Sequence, residues 1–240
     1  MKIGILRADD VAPSLAGHFG EYPQMFEDSL RRANAAVAEP QRALEFVSYH
    51  IFKGEFPRSI GEVDAYILTG SQNSAYDDQT WIHQTGDVIR QLHAEKKPLI
   101  GICFGHQLVA EALGGQVIKS PRGWGIGKRR CTLTAAAGHR GWQAEHFQLI
   151  YSHQDQVETA APDSVVLAGS THCPIAMTAL GQHILTFQGH PEFSNEFAHA
   201  IYRMRRASYP PETYRSAIAS MDEEDDSLLV NQWILQFLTG

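Results

Sequence analysis

Short apolar runs alternate with segments of helical periodicity through the first half of the chain. The apolar runs cover residues 2–6, 43–50, 63–70 and 99–103. Two helix faces are predicted between these runs. Apolar residues recur at spacings of three or four in the first, at Phe26, Leu30, Ala33 and Val37. The apolar face of the second consists of Trp81, Val88, Ile89 and Leu92. Strands joined by helical crossovers run parallel, so the pattern predicts a three-layer α/β sandwich around a mostly parallel sheet.

The second half of the chain changes character. Apolar runs follow one another closely at 129–134, 146–151, 164–169, 174–180 and 182–188, with Gly- and Pro-containing turns between them. This close spacing favours antiparallel strands, either added to the main sheet or forming a small second sheet. Because no internal repeat or obvious linker occurs, we expect one domain over 1–240, with a core at 1–205 and a C-terminal helical extension at 206–240.

Two helices are predicted to begin on acidic or hydroxyl-bearing residues, which stabilise helix N-termini. The helix after the third apolar run has Asp77, Asp78 and Thr80 at its start. The last helix opens on the acidic residues 222–224. It is expected to bury an apolar face formed by Leu228, Leu229, Trp233, Ile234 and Phe237.

Composition and charge narrow the class of protein. Of the 240 residues, 43% are hydrophobic, which is enough for a sizeable core. The net charge of −7 argues against nucleic-acid binding, which needs a basic surface. No apolar run approaches the roughly 18 residues of a membrane span. Three cysteines cannot form a disulfide framework, and acidic residues follow the start too closely for a secretory signal. We therefore expect a soluble cytoplasmic protein that binds neither nucleic acid nor membrane.

The most informative stretch, PLIGICFGHQLVAEALGG at 98–115, runs from an apolar strand directly into a helical pattern. Cys103 lies at the junction, two residues from Gly101 and from Gly105. Gly-x-Cys-x-Gly is the thiol counterpart of the nucleophile elbow, in which a sharp turn exposes the reactive side chain and small neighbours let substrate approach. N–H groups at a helix start also stabilise a thiolate. We predict that Cys103 is a nucleophile and that Cys131 and Cys173 are packing residues.

A nucleophilic cysteine needs a base and a group that orients the base. Among 12 histidines, His190 stands out because it follows an apolar run and Glu192 lies two residues later. Side chains at i and i+2 of an extended segment point to the same side, so this carboxylate can accept a hydrogen bond from the imidazole. With Cys103, these residues predict a Cys–His–Glu triad. A metal hydrolase is not indicated, because the sequence has neither a His-Glu-x-x-His nor a Cys-x-x-Cys motif.

These motifs resemble the two signatures of the class I glutamine amidotransferases, GICFGHQ around Cys103 and QGHPEF around His190. ILTGS at 67–71 corresponds to the strand end that carries the family's oxyanion hole, and SHQDQV at 152–157 and CPI at 173–175 have counterparts in the same order. The resemblance extends over residues 2–205. It implies a flavodoxin-like fold, with a mostly parallel central sheet between helices and a small antiparallel addition.

By that resemblance, Cys103 is the nucleophile, His190 the general base and acid, and Glu192 the residue that orients His190. The reaction of the family at this site needs neither a metal nor an organic cofactor.

The resemblance also implies an oxyanion hole and a substrate pocket. The oxyanion hole would use the turn at Gly70 and Ser71 and the backbone N–H of Phe104. The substrate pocket would include Gln107, Tyr151, Ser152 and His153. Many members have two glycines where this chain has Gly70 and Ser71, which matters if the turn requires a positive φ.

The implied substrate is glutamine or another γ-glutamyl small molecule, and two leaving groups stay open. If ammonia leaves, it passes to an acceptor or a synthetase, and since the sequence has no P-loop the synthetase would be a separate subunit. If a larger amine leaves, the protein is a free-standing γ-glutamyl peptidase, and GEFPRSI at 54–60 resembles such members slightly more. A third alternative is a non-catalytic binding or regulatory subunit with the same fold.

Two basic segments lie outside these motifs. Lys128, Arg129 and Arg130 are interpreted as a solvated strand end. Arg122 and Trp124 either line the substrate mouth or belong to a glycine-rich loop anchored by the tryptophan.

Overall fold

The computed structural model describes residues 1–37, 43–142 and 144–239, in which the chain forms eleven strands and eight α-helices. The strands are β1 (Lys2–Arg7), β2 (Glu45–His50), β3 (Ala65–Leu68), β4 (Leu99–Ile102), β5 (Gln116–Lys119), β6 (Gly125–Leu133), β7 (His146–His153), β8 (Asp155–Thr159), β9 (Ser164–Gly169), β10 (Met177–Leu180) and β11 (Ile184–Phe187). The helices are α1 (Pro13–Phe19), α2 (Tyr22–Ala35), α3 (Thr80–Ala94), α4 (Phe104–Ala112), α5 (Ala135–Gly138), α6 (Asn195–Met204), α7 (Pro211–Ser220) and α8 (Ser227–Thr239).

Nine strands form one sheet in the order β2–β1–β3–β4–β11–β10–β9–β6–β7. The first five strands in this order are parallel, each to its neighbour. Apolar side chains on one face pack against α2 and α8, and those on the other face pack against α3 and α4. Residues of β1 illustrate the alternation, since Ile3 and Ile5 face the first core and Leu6 faces the second. The predicted three-layer α/β sandwich is therefore confirmed.

The remaining strands of the large sheet are antiparallel, as the close spacing of apolar runs predicts. The two alternatives for this region both occur, because β10, β9, β6 and β7 extend the large sheet while β5 and β8 form a separate two-stranded sheet. An isolated antiparallel bridge joins Ile150 of β7 to His190, just after β11. This bridge brings the end of β7 to the carboxyl edge of the parallel strands.

Helices α3 and α8 begin later than the acidic residues before them predict. The N-cap of α3 is Gln79, without a side-chain cap. Asp77 accepts hydrogen bonds from the Ser74 N–H at 3.0 Å and the Asn73 amide at 3.4 Å instead, so it stabilises the preceding turn. At the C-terminus, α8 begins at Ser227 rather than within 222–224.

The acidic segment before α8 is held by β6 and β7, which explains the late start of the helix. The Asp226 carboxylate accepts the Gln148 N–H at 2.7 Å, and the Asp226 N–H donates to the Gln148 carbonyl at 2.8 Å. In α8, Trp233 and Ile234 are buried as predicted, whereas Leu228 is 46% exposed. Leu229 and Phe237 are partly buried against the same core.

Lys128 is not part of a solvated strand end. Its side chain is 1% exposed and forms an ion pair with Asp225 at 3.3 Å. The ammonium also donates to the carbonyl oxygens of Met221 and Glu223. The prediction fails because the turn between α7 and α8 covers β6 and supplies the oxygens that this buried cation requires. Arg130 on the same strand is exposed.

Candidate active site

Three neighbouring parallel strands, β3, β4 and β11, end at the same edge of the sheet. Gly70 follows β3, Cys103 follows β4 and His190 follows β11. A Cβ placed on Gly70 would lie 3.2 Å from His190 Cε1 and 3.6 Å from Cys103 Cβ, so Gly70 touches both residues. The carboxyl edge of a parallel sheet is the usual location of α/β binding sites. The sheet order thus brings together segments that are up to 120 residues apart.

Cys103 forms the sharp junction between β4 and α4. Its backbone has φ 54° and ψ −101°, a conformation that side chains rarely adopt, and its N–H donates to the Phe187 carbonyl at 2.8 Å. The flanking glycines are needed for packing rather than for access of substrate. A Cβ on Gly101 would lie 2.7 Å from the Gly105 oxygen, and one on Gly105 would overlap the Leu68 carbonyl. The glycines let α4 approach β3 and β4, which fixes the strained junction.

His190 and Glu192 form a buried hydrogen-bonded pair. Nδ1 of His190 donates to Oε1 of Glu192 at 2.8 Å, and the two residues are 4% and 6% exposed. Phe193 stacks on the imidazole with 3.9 Å between ring centroids, and the His190 N–H donates to the Ile150 carbonyl at 2.8 Å. The chain turns after His190 instead of staying extended, yet the predicted contact forms. The hydrogen bond to Glu192 and the stacking of Phe193 therefore fix the orientation of the ring, and the bond to Ile150 fixes the backbone.

The charge state of His190 differs from that of the other two fully buried histidines. Burial lowers the pKa of His106 to about 4 and that of His153 to about 3, so both are neutral near pH 7. Burial also acts to lower the pKa of His190, but the negative charges of Glu192 and the Cys103 thiolate outweigh it and raise the pKa to about 10. The site therefore favours the protonated, imidazolium form of His190.

Two backbone N–H groups beside Cys103 are free to bind an oxygen atom. Among the described residues, neither the N–H of Ser71 nor that of Phe104 donates to a protein acceptor, and Phe104 is the first residue of α4, where N–H groups lack intrahelical partners. Ser71 does not have a positive φ, so the turn accommodates a serine. The Ser71 hydroxyl accepts the Asn73 N–H at 3.1 Å.

A cavity of about 310 Å³ opens at Cys103. Gln107, Ser152 and His153 line it, as does Ser71. The Gln107 amide group donates to the Asp155 carbonyl at 2.8 Å and to Gln188 Oε1 at 3.0 Å, which leaves its own oxygen available. The side chain of Tyr151 does not reach this cavity.

Tyr151 instead lies in the core with 1% exposure, and its hydroxyl contacts Cys131 Sγ at 3.0 Å. Its position follows from the alternation of β7, because Tyr151 points to the opposite side from Ser152. The prediction of Cys131 and Cys173 as packing residues agrees with their burial.

The structure adds site residues that the motifs did not indicate. Asp9, directly after β1, accepts the Gln72 N–H at 2.9 Å and so holds the turn after β3. Its place at the end of a strand adjacent to β3 is the signal that could have identified it. Arg205, after α6, lines the Cys103 cavity but belongs to no recognisable motif. Trp124 lines this cavity, in agreement with the first of its two alternatives, whereas Arg122 lines a neighbouring cavity.

The fold and this geometry can be compared with known proteins. The family model described as "Glutamine amidotransferase class-I" matches residues 34–204. The chain belongs to the class-I glutamine amidotransferase family. A glutamine amidotransferase-like protein of Schizosaccharomyces pombe is 28% identical over 98% of each chain.

Two further comparisons concern a peptidase and a solved structure. γ-Glutamyl peptidase 5 of Arabidopsis thaliana is 33% identical over 64% of each chain, so the match spans less than two thirds of that relative's length. The crystal structure of a glutamine amidotransferase from Methylobacillus flagellatus superposes with a TM-score of 0.76, at 21% identity, over 99% of this chain and 92% of the other. The latter likeness supports the flavodoxin-like fold of the class-I glutamine amidotransferases.

The described residues contain neither a metal-binding cluster nor a helix that could span a membrane. No group of three or more His, Cys, Asp or Glu side chains is arranged to hold a metal ion. No helix in the described ranges has the length and apolar character needed to cross a bilayer.

Proposed function

We propose that this class-I glutamine amidotransferase hydrolyses γ-glutamyl amides through a thioester on Cys103. The observation that carries the proposal is the buried His190–Glu192 pair at 2.8 Å, next to a cysteine on a strained strand-to-helix junction. The negative charges of Glu192 and of the thiolate keep His190 protonated, with a pKa of about 10. A thiolate–imidazolium pair combines an activated nucleophile with a proton donor in one site.

In the first half-reaction, the Cys103 thiolate attacks the γ-carbonyl carbon. The N–H groups of Phe104 and of the Gly70–Ser71 turn would bind the oxyanion, and one such donor is typically worth about 3–4 kcal/mol. The C–N bond then breaks as His190 passes its proton to the leaving nitrogen, which departs as a neutral amine or ammonia. The enzyme is left with a γ-glutamyl thioester and a neutral imidazole.

In the second half-reaction, neutral His190 takes a proton from water, and the resulting hydroxide adds to the thioester carbonyl. The C–S bond breaks, glutamate leaves and the thiolate–imidazolium pair is restored. Glu192 orients His190 through the hydrogen bond between Nδ1 and Oε1 and stabilises the positive charge of the imidazolium. Gln107, Ser152 and His153 would bind the glutamyl group, because they line the cavity that contains Cys103.

The simplest substrate is glutamine, whose leaving group is ammonia. Membership of the family supports this reaction. In that case ammonia would be released to an acceptor or to a separate synthetase subunit docked over the cavity.

A second candidate is a γ-glutamyl peptidase that works without a synthetase. Several relatives from Arabidopsis thaliana that are 30–33% identical carry this name. The structure favours the idea in one respect, because a larger cavity adjoins the one at Cys103 and leaves space for a leaving group bigger than ammonia.

The proposal is tested by measuring glutamate released from glutamine and from γ-glutamyl peptides by the wild type and by Cys103→Ala. We expect release that depends on Cys103, and the better substrate decides between the two candidates. Cys131→Ala is a matched control, because that cysteine is buried away from the cavity. A folded protein that releases no glutamate from any substrate would instead indicate the non-catalytic alternative.

A further inference from the structure

A second cavity, of about 910 Å³, adjoins the Cys103 cavity. Three residues line both cavities, namely Gln72, Asn73 and Arg205. Gln72 and Asn73 follow the proposed oxyanion turn, so the shared wall stands next to the reacting carbonyl. A molecule bound at Cys103 can therefore extend into the larger cavity without leaving the site.

The larger cavity lies on the side of His190. Tyr22 lines it and stacks on Phe193, which in turn stacks on the His190 ring. Burial raises the pKa of Tyr22; the charges of Asp9, Glu192 and Cys103 add to the rise, and that of Arg205 opposes it. Because His190 is the group that protonates the leaving nitrogen, the leaving group points towards this cavity.

Most charged groups of the larger cavity already have partners. Asp10 and Glu21 pair with Arg7, and Lys53 also pairs with Asp10. Arg205 differs, since it takes part in none of the ion pairs within 4.0 Å among the described residues. Its charge acts from a longer range on the carboxylate of Asp9, which lines the same cavity, and its side chain contacts the Tyr209 hydroxyl. A guanidinium has a planar set of donors that matches a carboxylate.

Apolar rings form another part of the wall. Phe52, Trp81 and Phe197 line the cavity together with Ile201. Aromatic side chains of this kind bind the apolar part of a ligand, while a few polar groups fix its orientation.

We propose that the larger cavity binds the leaving group of a γ-glutamyl peptide and that Arg205 pairs with the free carboxylate of that leaving amino acid. This inference rests on the proposed function and selects its peptidase form. It assigns the aromatic wall to the side chain of the leaving amino acid. Ammonia from glutamine would leave this subsite unused.

The test compares γ-glutamyl-phenylalanine with its C-terminal amide, which lacks the carboxylate, and uses glutamine as a third substrate. The quantity measured is the ratio of kcat/KM for the acid to kcat/KM for the amide. We expect the wild type to prefer the acid and Arg205→Met to lower the ratio about 10- to 100-fold, the usual effect of losing a hydrogen bond to a charged group. Arg205→Lys should restore part of the preference.

Arg203→Met is the matched control, since Arg203 is an exposed arginine near the end of α6 and should leave the ratio unchanged. An unchanged acid-to-amide ratio in Arg205→Met would overturn the inference. If kcat/KM falls equally on all three substrates, Arg205 acts on the glutamyl group instead of the leaving group. Both results leave the proposed function intact. Absence of Cys103-dependent release from all three substrates would contradict the proposed function, and the inference with it.

Discussion

The pair formed by His190 and Glu192 gives the sharpest prediction, through the variant Glu192→Gln. The pKa of His190 is about 10, against an ordinary 6.5, so the protein favours the imidazolium by on the order of 5 kcal/mol. A glutamine keeps an oxygen that can accept the Nδ1 proton, but it removes the negative charge. Since burial acts in the opposite direction, the pKa of His190 must fall in this variant.

We expect two consequences for activity. The alkaline limb of the kcat/KM profile moves to lower pH, because the proton donor is lost earlier. At pH 8, kcat/KM falls about 10²- to 10⁴-fold, the range typical of general acid–base catalysis. Cys103→Ala should lose more, because it removes the nucleophile itself.

The pH dependence of the free energy of unfolding provides a second test of the same pair. The folded-state pKa of His190 lies above its ordinary value, so its stabilising contribution is complete below about pH 6.5 and is lost as pH rises through about 10. The difference in unfolding free energy between wild type and Glu192→Gln should narrow over that interval.

The assays are the pH dependence of kcat/KM, the rate of Cys103 alkylation by iodoacetamide across pH, and urea unfolding at several pH values. Glu196→Gln serves as the control, since Glu196 is an exposed carboxylate near the site in sequence. If the alkaline limb and the alkylation profile of Glu192→Gln coincide with those of the wild type, the electrostatic role of Glu192 is refuted.

Two further predictions concern the scaffold. Lys128→Met should lower the free energy of unfolding by about 2–4 kcal/mol, because it leaves Asp225 and two carbonyl oxygens without their buried cation. Urea denaturation measures the loss, with Arg130→Met as the exposed control. Equally small losses in the two variants would contradict this prediction. Gly105→Ala should destabilise the protein by about 1–3 kcal/mol and reduce activity, because a Cβ at this position overlaps a backbone carbonyl. Gly138→Ala is the control, since a Cβ there meets open space. If the two variants have the same melting temperature, the packing argument is refuted.

The sequence predicts the architecture well because hydrophobic periodicity reflects burial directly. The order of strands and helices, the antiparallel addition and the junction at Cys103 all follow from short local patterns. The contact between His190 and Glu192 was predictable for the same reason, since the two residues are close in the chain.

Features that depend on distant segments could not be predicted. Lys128 looks like part of a surface charge run, and only the turn before α8, about 95 residues later, supplies its partners. Arg205 has no neighbouring motif and reaches the site because α6 follows the segment that contains His190. Asp77 fits an N-cap by residue type, but a local turn uses its carboxylate instead.

The central claim is that Cys103 forms a covalent bond to a γ-glutamyl group, and acid-quenched mass spectrometry tests it most directly. Wild-type protein mixed with excess glutamine or γ-glutamyl-phenylalanine and quenched during turnover should carry one added γ-glutamyl group on the peptide that contains Cys103. Cys103→Ala should carry none, and Glu192→Gln should accumulate the adduct more slowly. Turnover without any adduct on Cys103, or glutamate release that persists in Cys103→Ala, would contradict the account.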